Sequence, residues 1–263
     1  MNISFIGFGN MANAIAHGLL GDEKNELRAA SPSLPRGINE QGIKTYSDNL
    51  AIVSDADIII LAVKPAQMAA VLSEISPKLP AHCLLISIAA GINLSWFTTY
   101  TQTIAIVRAM PNIAAATGLS ATPLMANEFV TPTQIQWAEK IFTRIGLTTW
   151  TKKETDIDLF TALSGSGPAY VFRLMEAMIK GASDLGMSAD IAKSFTLQTF
   201  KGAVSLACEN KLTLAELIHT VTSPAGTTAA ATEVLTRHGF DQLIHAAIMA
   251  ARDRARQLGA EAH

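Results

Sequence analysis

Between Met1 and about Lys152 the chain alternates short runs that are apolar at nearly every position with stretches whose apolar residues recur every three or four positions. NISFIGF, LRAAS, DADIIILAV, CLLISIAA and TIAIVRAM are the β-prone runs, and segments such as PAQMAAVLSEI lie between them. This order predicts a βαβ series. Ile58 to Val63 is apolar throughout, as expected for a central parallel strand covered on both faces. From about Lys153 the strand signals stop. Pro168 stands where a first helical turn tolerates it, and Val171, Leu174, Met175, Met178, Ala182 and Leu185 repeat at helical spacing until Gly186, predicting about five turns. Thr213 and Glu216 have capping-box spacing ahead of Leu214, Leu217, Ile218 and Val221, and Leu243, Ala247, Ile248, Ala251, Ala255 and Leu258 mark a final helix. The expected architecture is an α/β domain with a mostly parallel sheet over residues 1–152, followed by an all-α domain over 153–263.

Composition narrows the functional classes. The chain has 263 residues, 49% of them hydrophobic, with 20 Lys+Arg against 22 Asp+Glu, so nucleic acid is not an expected partner. Cys83 and Cys208 show no CxxC spacing and no adjacent histidine, which argues against a disulfide framework or zinc site and fits a cytoplasmic setting. The apolar run from Ile3 begins without a basic leader. Leu79 to Val107 is uncharged and long enough to span a bilayer. It is interrupted by Gly91, Asn93, Ser95, Thr98, Thr99, Thr101 and Gln102, so it reads as buried structure of a soluble protein and no membrane is expected. The Ala-, Met- and Leu-rich helices of the second half carry apolar residues around much of their circumference. About 110 residues do not readily bury that surface alone, which predicts a homo-oligomer.

The first chemical motif is GFGNMA, Gly7 to Ala12, between the opening strand and a helical pattern from Met11 to Leu20. That is the context of a Rossmann-type dinucleotide fingerprint and predicts a nicotinamide-dependent oxidoreductase. Gly7 permits the tight turn, Gly9 lets the backbone approach a pyrophosphate, and Ala12 packs the helix on the strand; the helix N-terminus faces the phosphates with its free N–H groups. Where an NAD-preferring domain usually places an acidic residue, the chain reads AASPSLPRG. Ser31, Ser33 and Arg36 offer donors for a 2′-phosphate, so NADP is the expected cofactor, with Arg36 as a solvated loop residue the bland alternative. AVKP, Ala62 to Pro65, and RAMPN, Arg108 to Asn112, end two further strands, and ligands of open α/β sheets bind outside such ends. Lys64 therefore points toward the nicotinamide crevice, while a salt-bridged structural cation is an equal reading for Lys64 or Arg108. In the helical half, ALSGSGPAY and VTSPAGTT each break one helical pattern and begin another. Each is suited to present free N–H groups and hydroxyls to a carboxylate, or serves as a plain connection.

In order, GFGNMA, AVKP, RAMPN, SGSGPAY and VTSPAGTT resemble the pattern of the pyrroline-5-carboxylate reductases, which make the last reduction in proline biosynthesis. The likeness covers nearly the whole chain. The family often has Gly-Gly after the proline of the last motif, where this chain has Ala225-Gly226. The resemblance implies a Rossmann domain followed by a helical dimerisation domain, assembled as a homodimer or a ring of dimers, acting on 1-pyrroline-5-carboxylate with NADPH, or with NADH. It implies that Gly9, Asn10 and Met11 hold the pyrophosphate. Ala62, Lys64, Pro65, Met110, Pro111 and Asn112 would surround the nicotinamide end, and Ser223, Gly226, Thr227 and Thr228 the substrate. Reduction of a cyclic C=N bond needs an anchored carboxylate and a nitrogen that is basic enough to enter protonated, so the Thr228 hydroxyl is expected to orient that nitrogen without being a strong acid. His17, His219 and His245 fall outside these motifs, and no metal-ligand spacing occurs in them. A β-hydroxyacid dehydrogenase would want a basic residue in SGSGPAYVF. A non-enzymatic NADPH sensor would have no reason for TSPAGTT; turnover separates both from the main reading.

Overall fold

In the computed structural model, which describes residues 1–22, 24–100 and 103–261, the apolar runs become strands β1 (Asn2–Ile6), β2 (Glu26–Ala30), β5 (Ile58–Leu61), β6 (Leu84–Ser87) and β7 (Ala105–Ala109). Four more strands join them: β3 (Gly37–Ile38), β4 (Lys44–Tyr46), β8 (Ser120–Ala126) and β9 (Gly146–Trp150). The sheet order is β3-β4-β2-β1-β5-β6-β7-β8-β9. From β4 to β7 every neighbouring pair is parallel, which is the doubly wound order with its reversal between β1 and β5. β3 pairs antiparallel with β4, and β8 antiparallel with β7.

The two faces follow from the strand period of two. Ile3, Phe5, Ile58, Ile60, Leu84, Ile86 and Val107 face one side. There they bury the apolar stripes of α1 (Asn10–Leu19) and α4 (Pro132–Thr143). Ile6, Ile59, Leu61, Leu85 and Ile106 face the other, against α2 (Pro65–Ile75) and α3 (Leu94–Phe97). Ile58 to Leu61 are all fully buried, each side chain contributing roughly 1.5–3 kcal/mol. The stretch Leu79 to Val107 forms β6, α3 and β7, with Thr101 and Gln102 outside the described residues. No helix among the described residues is long and apolar enough to cross a membrane.

Past Trp150 the described residues are helical: α5 (Glu154–Phe160), α6 (Gly167–Asp184), α7 (Ala189–Glu209), α8 (Leu214–Thr220), α9 (Thr227–Arg237) and α10 (Phe240–Glu261). The five turns expected after Pro168 are the 18 residues of α6, and the Thr213–Glu216 capping box forms at α8. ALSGSGPAY departs from expectation. Thr161–Gly165 is a π-helical turn that runs from α5 almost into α6, and the Ser166 N–H donates to the Thr161 carbonyl at 2.8 Å. The segment is wound rather than opened, so it does not present a row of free N–H groups.

Contacts divide the chain into two units: Met1–Pro168 with the stretch from Ala250 onward, and Ala169–Met249. In the second unit α6, α8 and α9 have no buried residue, and Phe172, Phe195, Leu214 and Leu243 are each more than half exposed. So many exposed large apolar side chains in one unit suit a protein partner.

Candidate active site

The turn after β1 is built for close backbone approach. Gly7 has φ +82°, a conformation that favours glycine, and a Cβ there would stand 2.8 Å from the Ala62 carbonyl oxygen. Its N–H donates to the Ala30 carbonyl at 2.8 Å, which locks the turn against β2. Gly9 is the N-cap of α1, with no side-chain cap and nothing within 4 Å of the place a Cβ would occupy. The first N–H groups of α1 thus face open space, a ready anion site. Gly7, Gly9, Ser31, Ala62 and Lys64 line one cavity of about 260 Å³ beside the β1–β5 reversal. These residues fit a dinucleotide: an uncapped helix start for the pyrophosphate, bare glycine where it must pass, and the Lys64 side chain in the lining. Asn10 and Met11 begin α1, and Pro65 begins α2 with Lys64 as its N-cap; none of the three lines this cavity.

Asn49 and Gln67 also line the cavity, and sequence reading did not name them. The Asn49 side-chain amide donates to Glu74 at 2.7 Å. Past β2, the Ser31 and Ser33 hydroxyls lie 3.2 Å apart, and exposed Arg36 makes no hydrogen bond or ion pair among the described residues.

At the β7 end the two cations separate. Arg108 is 3% exposed and pairs with Glu154 of α5, so it is the structural cation. Lys64 is exposed and unpaired among the described residues. Pro111 and Asn112 are buried and Met110 half-buried. Asn112 caps the short turn Ile113–Thr117, accepting from the Ala114 N–H at 3.0 Å, and its amide donates to the Ser164 carbonyl at 2.9 Å. A Cβ at Gly165 would lie 3.3 Å from Met110 Cε. RAMPN and SGSG are therefore packed together through Asn112 and Met110. Because β6 lies between β5 and β7, the loop from Ile88 to Asn93 opens at the same sheet edge, between AVKP and RAMPN.

In the second unit, VTSPAGTT is the connection between α8 and α9. Gly226 is the N-cap of α9, with no side-chain cap hydrogen bond, and the hydroxyls of Ser223, Thr227 and Thr228 make no hydrogen bond among the described residues. A Cβ on Gly226 would stand 2.3 Å from Ser223 Oγ. Ala225 has φ +58° and is the one non-glycine described residue with positive φ. Free N–H groups and three unengaged hydroxyls at one helix start suit a carboxylate with a polar neighbour.

Comparison with known proteins covers both sets of motifs. Residues 154–258 match the model described as pyrroline-5-carboxylate reductase dimerisation, and residues 2–91 the model described as NADP oxidoreductase, coenzyme F420-dependent. A pyrroline-5-carboxylate reductase of Pseudomonas aeruginosa is 38% identical over 262 residues, covering 97% of this chain and 96% of the relative. The chain belongs to the pyrroline-5-carboxylate reductase family. Solved structures agree. The Plasmodium falciparum pyrroline carboxylate reductase with NADP bound superposes at TM-score 0.90 with 30% identity, covering 98% of both chains. A Coxiella burnetii pyrroline-5-carboxylate reductase does so at 0.89 with 37% identity, again over 98% of both. The region matched to the family's dimerisation model includes SGSGPAY and TSPAGTT, the two segments that distinguish this chain from a generic dinucleotide-binding fold.

Proposed function

We propose that this chain reduces the C=N bond of 1-pyrroline-5-carboxylate to L-proline with NADPH, the last step of proline biosynthesis. The observation that carries this reading is full-length family membership in a chain that retains both an open glycine turn beside a strand-end cavity and a hydroxyl-rich, uncapped helix start. Bound NADPH supplies hydride to the imine carbon. The α1 N–H groups with Gly9, Asn10 and Met11 hold the pyrophosphate, and Gly7 keeps the turn that aims them. Ala62, Lys64, Pro65, Met110, Pro111 and Asn112 shape the nicotinamide end, Asn112 by bracing backbone rather than by direct contact. Ser31, Ser33 and Arg36 take the 2′-phosphate, so NADPH is preferred over NADH.

Ser223, Gly226 and Thr227 hold the substrate carboxylate on the α9 N–H groups, and the Thr228 hydroxyl orients the ring nitrogen. That nitrogen enters protonated, so hydride addition gives the neutral amine without a side-chain acid. The exposed apolar helices of the second unit and the match to a dimerisation model support a homo-oligomer; a homodimer or ring of dimers in the cytoplasm completes the proposal. The test follows nucleotide absorbance with 1-pyrroline-5-carboxylate, using NADPH and NADH in parallel and assaying the product for L-proline. Rapid NADPH oxidation that yields proline is the expected result. Tight NADPH binding without oxidation would reject the substrate assignment and reopen the hydroxyacid and sensor readings.

A further inference from the structure

The loop between β6 and α3 is clamped from two sides, and one clamp is the C-terminal end of the chain. Gly91 has φ +79°, and a Cβ there would meet Leu258 Cβ at 2.9 Å and the Gly259 nitrogen at 3.1 Å. The converse also holds: a Cβ on Gly259 would stand 2.8 Å from the Gly91 carbonyl oxygen. Backbone thus rests on backbone, with no side chain of either glycine possible between them. Glycine inside a helix is unfavourable relative to alanine, so Gly259 within α10 needs such a packing reason. The same turn is pinned elsewhere in its unit: Ala255 is buried, and Arg256 Nε lies 3.8 Å from Asp158 Oδ2 on α5. From the other side, a Glu154 carboxylate oxygen accepts the Leu94 N–H at 2.6 Å just after the loop, while its second oxygen pairs with Arg108 on β7. The Ile88 N–H donates to the Leu61 carbonyl at 3.2 Å, tying the loop to the strand that leads into AVKP.

We propose that the Ala255–Gly259 turn near the end of α10 is a positioning element that sets the backbone of the Ile88–Asn93 loop at the nicotinamide end of the cofactor site. The inference rests on the cofactor reading above, and strand order supplies the link: this loop emerges between the two segments assigned to the nicotinamide. The α10 turn meets Gly91 and Asp158, and the pyrophosphate is assigned to the separate turn after β1, so disturbing the former shifts the nicotinamide while leaving most of the binding energy intact.

The experiment compares the full-length protein with Gly259→Ala, Arg256→Gln and Arg256→Lys. Three readouts are taken: the affinity for NADPH by fluorescence titration, the emission enhancement of bound NADPH, which reports nicotinamide surroundings, and kcat with 1-pyrroline-5-carboxylate. In Gly259→Ala the affinity stays within about threefold, while the emission enhancement falls and kcat drops about tenfold, since small misplacement of reacting groups is costly. Arg256→Gln moves both in the same direction by less, and Arg256→Lys restores them. A variant that melts earlier yet keeps wild-type emission and kcat would overturn the proposal. If Gly259→Ala does not fold, Arg256→Gln carries the test, and unchanged emission in it would be equally decisive. NADPH binding without imine turnover in the unaltered protein would sink the substrate assignment alone, because the emission arm still reads the loop. No NADPH binding would sink both.

Discussion

Replacing Ala225 by glycine should stabilise the chain, against the usual effect of an Ala→Gly change. At φ +58° the Ala225 methyl is crowded against its own carbonyl, a penalty of about 1–2 kcal/mol for an L-residue in the left-handed region. Glycine removes the penalty but widens the unfolded ensemble, which takes back about 0.4–1 kcal/mol. The balance is a gain of about 0–1.6 kcal/mol, centred near about 0.8, which is about 2–3 °C in Tm for a chain of this size. Paired urea and thermal melts at one fixed protomer concentration measure it, because oligomerisation makes the midpoint concentration-dependent. The neighbouring Gly226→Ala supplies the opposite sign. Its methyl would lie 2.3 Å from Ser223 Oγ and 3.1 Å from the Ser223 carbonyl oxygen, so the hydroxyl must swing away from where the substrate carboxylate is assigned. A lost hydrogen bond to a charged group is worth about 1.5–3 kcal/mol, so the KM for 1-pyrroline-5-carboxylate should rise at least about tenfold while Ala225→Gly stays near wild type. A lower melting midpoint in Ala225→Gly would refute the strained-turn argument.

Three further outcomes are expected. Arg36→Ala should weaken NADPH binding about tenfold and leave NADH binding unchanged, since only the former carries the 2′-phosphate; equal losses for both nucleotides would remove Arg36 from cofactor selection. Thr228→Ala should depress kcat far more than it weakens NADPH binding, and a variant with wild-type kinetics would take the hydroxyl out of the mechanism. Burial pushes the Cys83 thiol up to about 12, with the Asp57 charge adding to the effect. In a Cys208→Ser background the native protein should therefore stay unlabelled by a thiol reagent at pH 8 and label only on unfolding. Rapid native labelling would contradict the packing assigned to β6.

The sequence made the parallel core legible because β1, β2, β5, β6 and β7 are short runs of branched and apolar residues whose pattern survives burial on both faces. The strands toward the margins of the sheet were harder. β3 is two residues long, β8 contains Pro123, which ordinarily speaks against a strand, and β9 is half exposed, with Leu147 and Thr149 turned outward. The glycine turn could be read locally, since Gly7 and Gly9 act through their own backbone. Asn49 and the Ile88–Asn93 loop could not, because what brings them to the site is strand order and a side chain arriving from a distant turn. The π-helical turn at Thr161–Gly165 was equally hidden: one extra residue in a turn leaves helical spacing almost intact, and the packing of Asn112 and Met110 against it is tertiary. Arg108 and Lys64 looked alike as strand-end cations. They were told apart by Glu154, 46 positions from Arg108 along the chain, whose carboxylate neutralises one and leaves the other open.

The central claim is hydride transfer from a bound pyridine nucleotide to a cyclic imine carbon. Incubating the protein with 1-pyrroline-5-carboxylate and NADPH deuterated at both nicotinamide C4 positions, then analysing the product by mass spectrometry, tests it most directly. The account predicts L-proline carrying a single deuterium at the former imine carbon. Unlabelled proline, or label lost to water with no proline formed, would contradict it.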